Sequence, residues 1–212
     1  MRRPAVWIFC VLGHRHPNRK PAKLKPVPLP ARVAITAPGR VTSDNVKSMT
    51  PQDRVAERIS TAARNAHVFL ATAESLTGGQ ISCLLGAAPA SSDWYRGSVV
   101  AYSSEVKHRV LKVPDGPVVS EASARAMAGA VAELLGADIA VAVTGAGGPD
   151  PQDGQPPGTV WFGLFAHGRI DTEMHRFDGE PQDVVTATTE HALVLLERAL
   201  ASAPGRVPPP LA

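Results

Sequence analysis

Cysteine is nearly absent from this 212-residue chain, which has only Cys10 and Cys83. One lies in each part of the sequence and neither has a metal-ligand neighbour at useful spacing. This excludes a disulfide framework and fits a reducing, cytoplasmic location. Long apolar runs are also missing. The stretch "AVWIFCVL" after Arg2 and Arg3 imitates the start of a signal peptide, yet it falls far short of the roughly 20 residues that span a bilayer. No small-residue cleavage site follows it, so neither a membrane partner nor export is expected. Acidic residues are missing from one region: residues 1–48 hold ten Lys or Arg against only Asp44, while the rest holds twelve basic and eighteen acidic residues, a net charge of −6. The overall +3 and the pI of about 9.1 therefore describe a basic tail on a mildly acidic body. Nucleic acid is excluded as a partner except through that tail. There are no internal repeats.

The tail carries Pro4, Pro17, Pro21, Pro26, Pro28, Pro30 and Pro38, a density that blocks helix and sheet. Residues 1–48 are expected to be a basic, Pro-rich, disordered extension, with Met49 an alternative start. Residues 49–202 form the domain and 203–212 a frayed tail. In the domain, Thr50, Pro51 and Asp53 announce a first helix whose Val55, Ile59, Ala62, Ala63 and Ala66 mark one face. Val68 to Thr72 reads as a strand, "TGGQISCLLGAA" as a helix, "SSDWY" as a loop, "GSVVAYS" as a strand and "SEVKHRVL" as a short helix. Ser120 caps a longer helix that Gly136 ends. "DIAVAVTG" is an uninterrupted apolar run, the pattern of a strand covered on both faces. "GTVWFGLFA" and "IDTEMHRF" form a hairpin, and Pro181 opens the last helix. This order predicts an α/β fold, a three-layer α/β/α sandwich with a mixed sheet.

Three loops leave apolar strands carrying hydroxyls or glycines, and ligands gather beyond the carboxyl ends of such strands. The first is "AESLTGG". Thr77, Gly78 and Gly79 stand where a helix starts, with amides open to an anion or oxyanion and Ser75 held above them. Equally, Ser75 and Thr77 would simply cap that helix. The second is "YSSEVKHR". Tyr102 ends a strand, Ser104 is placed to cap the helix, and Lys107 lies near the positive end of its dipole, where a neutral amine is favoured and a general base becomes available. A solvated lysine among Glu105, His108, Arg109 and Lys112 explains the same residues. No histidine has a spacing that marks it as a ligand. The third is "TGAGGPDPQDGQPPGTVWF", in which Gly145, Gly147 and Gly148 offer backbone amides to a phosphate. It matches neither a Walker nor a Rossmann pattern, and a proline-rich surface loop is the plain alternative.

In this order, "TAESLTGG", "RGSVVAYSSEVK" and "VTGAGGPD…PPGTVWFG" closely resemble the signature blocks of the CinA C-terminal domain family, which includes stand-alone nicotinamide mononucleotide amidases. The resemblance covers about Met49 to Ala201. It implies a three-layer sandwich and, for the amidase members, a Ser/Lys hydrolase that needs no metal or other cofactor. By position, the family's serine falls on Ser75, its tyrosine on Tyr102 and its lysine on Lys107. Leu76 replaces the usual Cys, and Ser104 the usual Asn.

The resemblance implies hydrolysis of the carboxamide of a pyridine nucleotide, with release of ammonia. Ser75 attacks, Lys107 takes its proton, and Tyr102 holds Lys107 or relays the proton. The amides near Thr77, Gly78 and Gly79 meet the oxyanion, while Gly145, Gly147, Gly148 and Arg109 are candidates for the phosphate. Glu74 either orients the turn or binds ribose. A homo-oligomer is expected. The alternative is a catalytically weak binding module linked to competence or DNA damage.

Overall fold

The computed structural model describes residues 49–202; the predicted extension and the 203–212 tail lie outside the described residues. Helix α1 (Pro51–Ala66) starts as its sequence predicts. Thr50 accepts from the Asp53 amide and Asp53 accepts in return, with Pro51 in the first turn. The buried face is Ala56, Ile59, Ser60 and Ala63, rotated by about a fifth of a turn from the predicted one, so Val55 and Ala62 sit on its flanks. His67 closes the helix in a left-handed conformation. Two linking residues then delay strand β1 to Leu70–Glu74, which brings Glu74 into the strand rather than the loop.

Helix α2 (Gln80–Ala87) follows, then α3 (Ser91–Trp94), a single turn where a loop is predicted. Trp94 explains the turn: it is 1% exposed and donates its indole N–H to the Pro89 carbonyl. Strand β2 (Tyr95–Val100), helix α4 (Ser104–Leu111), helix α5 (Glu121–Leu135) and strand β3 (Ile139–Gly145) come next. The predicted hairpin is β4 (Thr159–Ala166) and β5 (Arg169–Arg176), and α6 (Pro181–Ala201) completes the domain.

The sheet order is β2-β1-β3-β4-β5. The first three strands run parallel and the hairpin joins antiparallel, giving the mixed sheet expected. Strand alternation sorts the core into two layers. Leu70, Ile139, Val141 and Val143 face α1, α2 and α6, whereas Ala71, Ala73, Ala140 and Ala142 face α5. The alanines let α5 settle closely on the sheet. At Gly163 the approach is so tight that an added Cβ would stand 2.2 Å from the Ala124 carbonyl oxygen.

Edge strand β2 is irregular. Leu70 pairs with Tyr95 but Ala71 pairs with Gly97, so Arg96 is an extra residue and Gly97 has a φ of 118°. The Arg96 guanidinium lies over the Phe69 ring, 3.6 Å from its centroid.

Candidate functional site

Glu74 lies on the Leu70 face of β1, the side on which α2 packs, and it is fully buried. Its Oε2 accepts from the Thr77 hydroxyl at 2.8 Å, the Gly79 amide at 3.0 Å and the Ile81 amide at 3.2 Å. Its Oε1 accepts from the Ser82 amide at 2.8 Å and the Ser98 hydroxyl at 3.4 Å. The carboxylate thus satisfies the orphan amides at the start of α2. Beside it, the Tyr95 hydroxyl shares a bond with Thr72 at 2.8 Å and donates to Ser82 at 3.0 Å. Burial pushes the Tyr95 phenol up to about 12, against the opposing effect of those hydroxyls.

This arrangement separates two readings that the sequence leaves open. Neither Ser75 nor Thr77 caps α2: its N-cap is Gly79, no side chain bonds there as a cap, and the Thr77 hydroxyl is turned to Glu74. The Ser75 hydroxyl takes no hydrogen-bond partner among the described residues, although the residue is only 8% exposed. The same geometry bears on the expected oxyanion cradle. The Gly78 amide donates to the Ser75 carbonyl at 3.0 Å and the Gly79 amide to Glu74, so both are already engaged. Gly78 and Gly79 instead supply the left-handed turn, with φ of 59° and 101°, which a side chain would strain. Glu74 orients that turn, and both of its oxygens accept from protein donors.

Three loops meet at a cleft of about 350 Å³, within the range of small-molecule sites, roughly 300–1,000 Å³. Ser75 and Leu76 come from the first loop, Tyr102 from the second, and Gly145, Gly147, Gly148 and Asp150 from the third. Pro181 and Val185 at the start of α6 close the far side. Gly145 is required by close packing, since a Cβ there would stand 2.7 Å from the Thr159 carbonyl oxygen. No Lys or Arg lines the cleft among the described residues.

Lys107 is 1% exposed on the inner face of α4, and its Nζ donates to the Tyr102 backbone carbonyl at 3.4 Å. The solvated-lysine reading is therefore wrong. Burial lowers its ammonium below the usual lysine range, while the negative charge of Asp153 acts in the opposite sense. Asp153 itself is pinned, accepting from the Val118 and Val119 amides at 2.7 and 2.9 Å. The Tyr102 side chain is 76% exposed, so only its carbonyl holds Lys107. Ser104 is the first residue of α4, exposed to solvent, and Ser103 occupies the N-cap. Arg109 is exposed and paired with Glu105 at 3.2 Å, outside the cleft. The sequence reasoning missed Asp150 and Asp153; a proline-rich loop gives no periodicity by which to place them.

A mixed five-stranded sheet between two helical layers, with a serine-bearing cleft at the carboxyl ends of its parallel strands, defines an α/β/α sandwich domain. Residues 52–200 match the CinA C-terminal domain, and the chain belongs to that family. A CinA-like protein of Frankia casuarinae is 39% identical over 140 residues, which cover 64% of this chain and 32% of that protein. The solved structure of a CinA superfamily protein from Klebsiella pneumoniae 700603 is 35% identical with a TM-score of 0.68, covering 72% of this chain and 99% of that one. The competence/damage inducible protein CihA from Agrobacterium tumefaciens is 30% identical with a TM-score of 0.66, covering 73% and 99%. The chain spans about a third of the length of the curated relatives it matches.

Proposed function

We propose that the domain is an amidohydrolase that converts nicotinamide mononucleotide to nicotinate mononucleotide and ammonia, with Ser75 as nucleophile. The observation that carries this reading is Ser75: it lines the cleft with its hydroxyl unpartnered among the described residues, while Glu74 performs the capping a serine there would otherwise do. Lys107, with its proton affinity lowered by burial, takes the Ser75 proton as Oγ bonds to the amide carbon. The C–N bond then breaks, the lysine returns the proton to the departing nitrogen, and ammonia leaves. Water attacks the resulting ester with Lys107 again as base, releasing the acid and restoring Ser75.

With Gly78 and Gly79 engaged, the oxyanion is assigned to the Leu76 and Thr77 amides. One such donor is worth roughly 3–4 kcal/mol in the transition state. Asp150 and the exposed Tyr102 ring suit a cationic pyridinium at the cleft, by charge and by cation–π contact. The phosphate falls to the backbone amides of Gly147 and Gly148. Ser75→Ala should reduce ammonia release from nicotinamide mononucleotide to background. It should change stability by less than about 1 kcal/mol, because no hydrogen bond is lost. Substantial turnover by that variant excludes Ser75 as nucleophile.

The absence of Lys and Arg from the described lining favours one other reading, a binding module of low activity in competence or damage responses, the processes for which several relatives are named. Binding of pyridine nucleotides without ammonia release by the unmodified protein selects it.

A further inference from the structure

On the face of the sheet opposite α5, between β5 and α6, three side chains from two elements come together. Glu173 and His175 alternate on β5 and so share a face. Their ladder partners, Phe162 and Val160, are buried on the α6 side of the sheet. His191 comes from α6 itself. Nε2 of His175 lies 3.2 Å from Glu173 Oε1, and Nε2 of His191 bonds the same oxygen. All three atoms lie within 4.8 Å of one another.

We propose that Glu173, His175 and His191 form a Zn²⁺ site that ties edge strand β5 to helix α6. Two imidazole nitrogens and one carboxylate oxygen are the donor types zinc prefers, with bonds of about 2.0–2.2 Å. Four-coordinate geometry sets neighbouring donors roughly 3.3–3.5 Å apart, so side-chain adjustment at a half-exposed rim is enough to admit the ion. Water fills the fourth position. The imidazoles are held for the purpose by packing. The His191 ring lies edge-on to Phe162 at 4.7 Å between centroids, and the His175 ring stacks on Phe177 at 5.8 Å. Among the described residues, the two histidines are the ionic partners of Glu173.

The place matters as much as the donors. His175 pairs with Val160, which pairs with Gly145, so it stands two strand spacings, about 10 Å, from a wall of the cleft. Helix α6 carries His191 and, nearer its start, the cleft residues Pro181 and Val185. The site is therefore structural, a clamp beside the cleft and outside the chemistry proposed for Ser75.

The test uses the full chain, stripped with EDTA and titrated with ZnCl2 against a chromophoric chelator. The expected result is one ion bound per chain with a micromolar or tighter Kd. Glu173→Gln and His191→Ala should each weaken that binding by at least the roughly 10–100-fold that loss of an outer-sphere partner alone costs. His175→Gln, on the exposed edge strand, should do the same with an unchanged melting temperature in EDTA, so that misfolding is not the cause. Co²⁺ in the same site should give the visible bands of a four-coordinate ion, lost in each variant. Binding of equal strength in all three variants would assign the metal to other histidines and overturn the proposal, as would no binding at 100-fold excess of Zn²⁺.

Discussion

Replacing Glu74 by Gln tests whether a buried carboxylate starts α2 and shapes the Ser75 loop. Both oxygens of Glu74 meet donors only, three at Oε2 and two at Oε1. Glutamine has the same shape, but it turns an NH2 group toward the donors of one oxygen. If the retained oxygen serves Thr77, Gly79 and Ile81, the Ser82 amide loses its 2.8 Å acceptor at a partly buried position, which costs about 1–3 kcal/mol. The three bonds that remain fall from charge-assisted to neutral strength, about 1 kcal/mol each at most. The turn relaxes and recovers part of this, leaving an expected net loss of about 3–4 kcal/mol. Domains of this size hold on the order of 5–15 kcal/mol in all. Urea unfolding followed by far-ultraviolet dichroism should therefore show a much lower midpoint with an unchanged slope. Ammonia release should fall as well, because Ser75 directly follows Glu74. A loss below about 1 kcal/mol would mean that the turn holds itself, and the reasoning would be refuted.

Asp153→Asn keeps an oxygen for the Val118 and Val119 amides but removes the charge that favours protonated Lys107. The acid limb of the kcat/KM profile for ammonia release should move to lower pH, and a shift upward or none at all contradicts the role given to Lys107. Since the folded-state affinity of Lys107 for its proton is depressed, the unfolded chain binds that proton more tightly, and stability should rise with pH toward the ordinary lysine range. Gly163→Ala drives a Cβ against the Ala124 carbonyl, and about 3 kcal/mol should be lost in urea unfolding; a loss under 0.5 kcal/mol would show that α5 lifts freely from the sheet.

Much of the fold could be read from local signals. Thr50 with Asp53, Ser120 and Gly136 each act where their chemistry places them, because a helix end is decided by a few neighbouring atoms. The buried run at Ile139–Gly145 was equally plain. What escaped depends on contacts between distant segments. Nothing local distinguishes Ser103 from Ser104 as the residue before α4, and the one turn at Ser91–Trp94 forms because Trp94 finds the core. Glu74 could not be interpreted from its neighbours: its role requires the strand to run two residues further and α2 to stand over it. In the site, Ser75 lines the cleft and Lys107 is buried, placements that depend on how distant loops pack. Arg109 and Ser104 face solvent outside the cleft, while Tyr102 lines the cleft with its side chain largely exposed.

The extra residue at Arg96 changes the phase of β2. In an uninterrupted strand Tyr95 and Ser98, three positions apart, point to opposite faces. With Arg96 bulged out, both point to the same face: Tyr95 reaches Thr72 and Ser82, and Ser98 reaches Glu74. One unpaired residue on the rim thus brings both hydroxyls to the polar cluster at the start of α2. The kink has a second effect, because a bent edge carrying a cation is a poor template for another strand. Removing that residue would leave Tyr95 and Ser98 two positions apart and still on one face, but it would straighten an edge that now resists self-association.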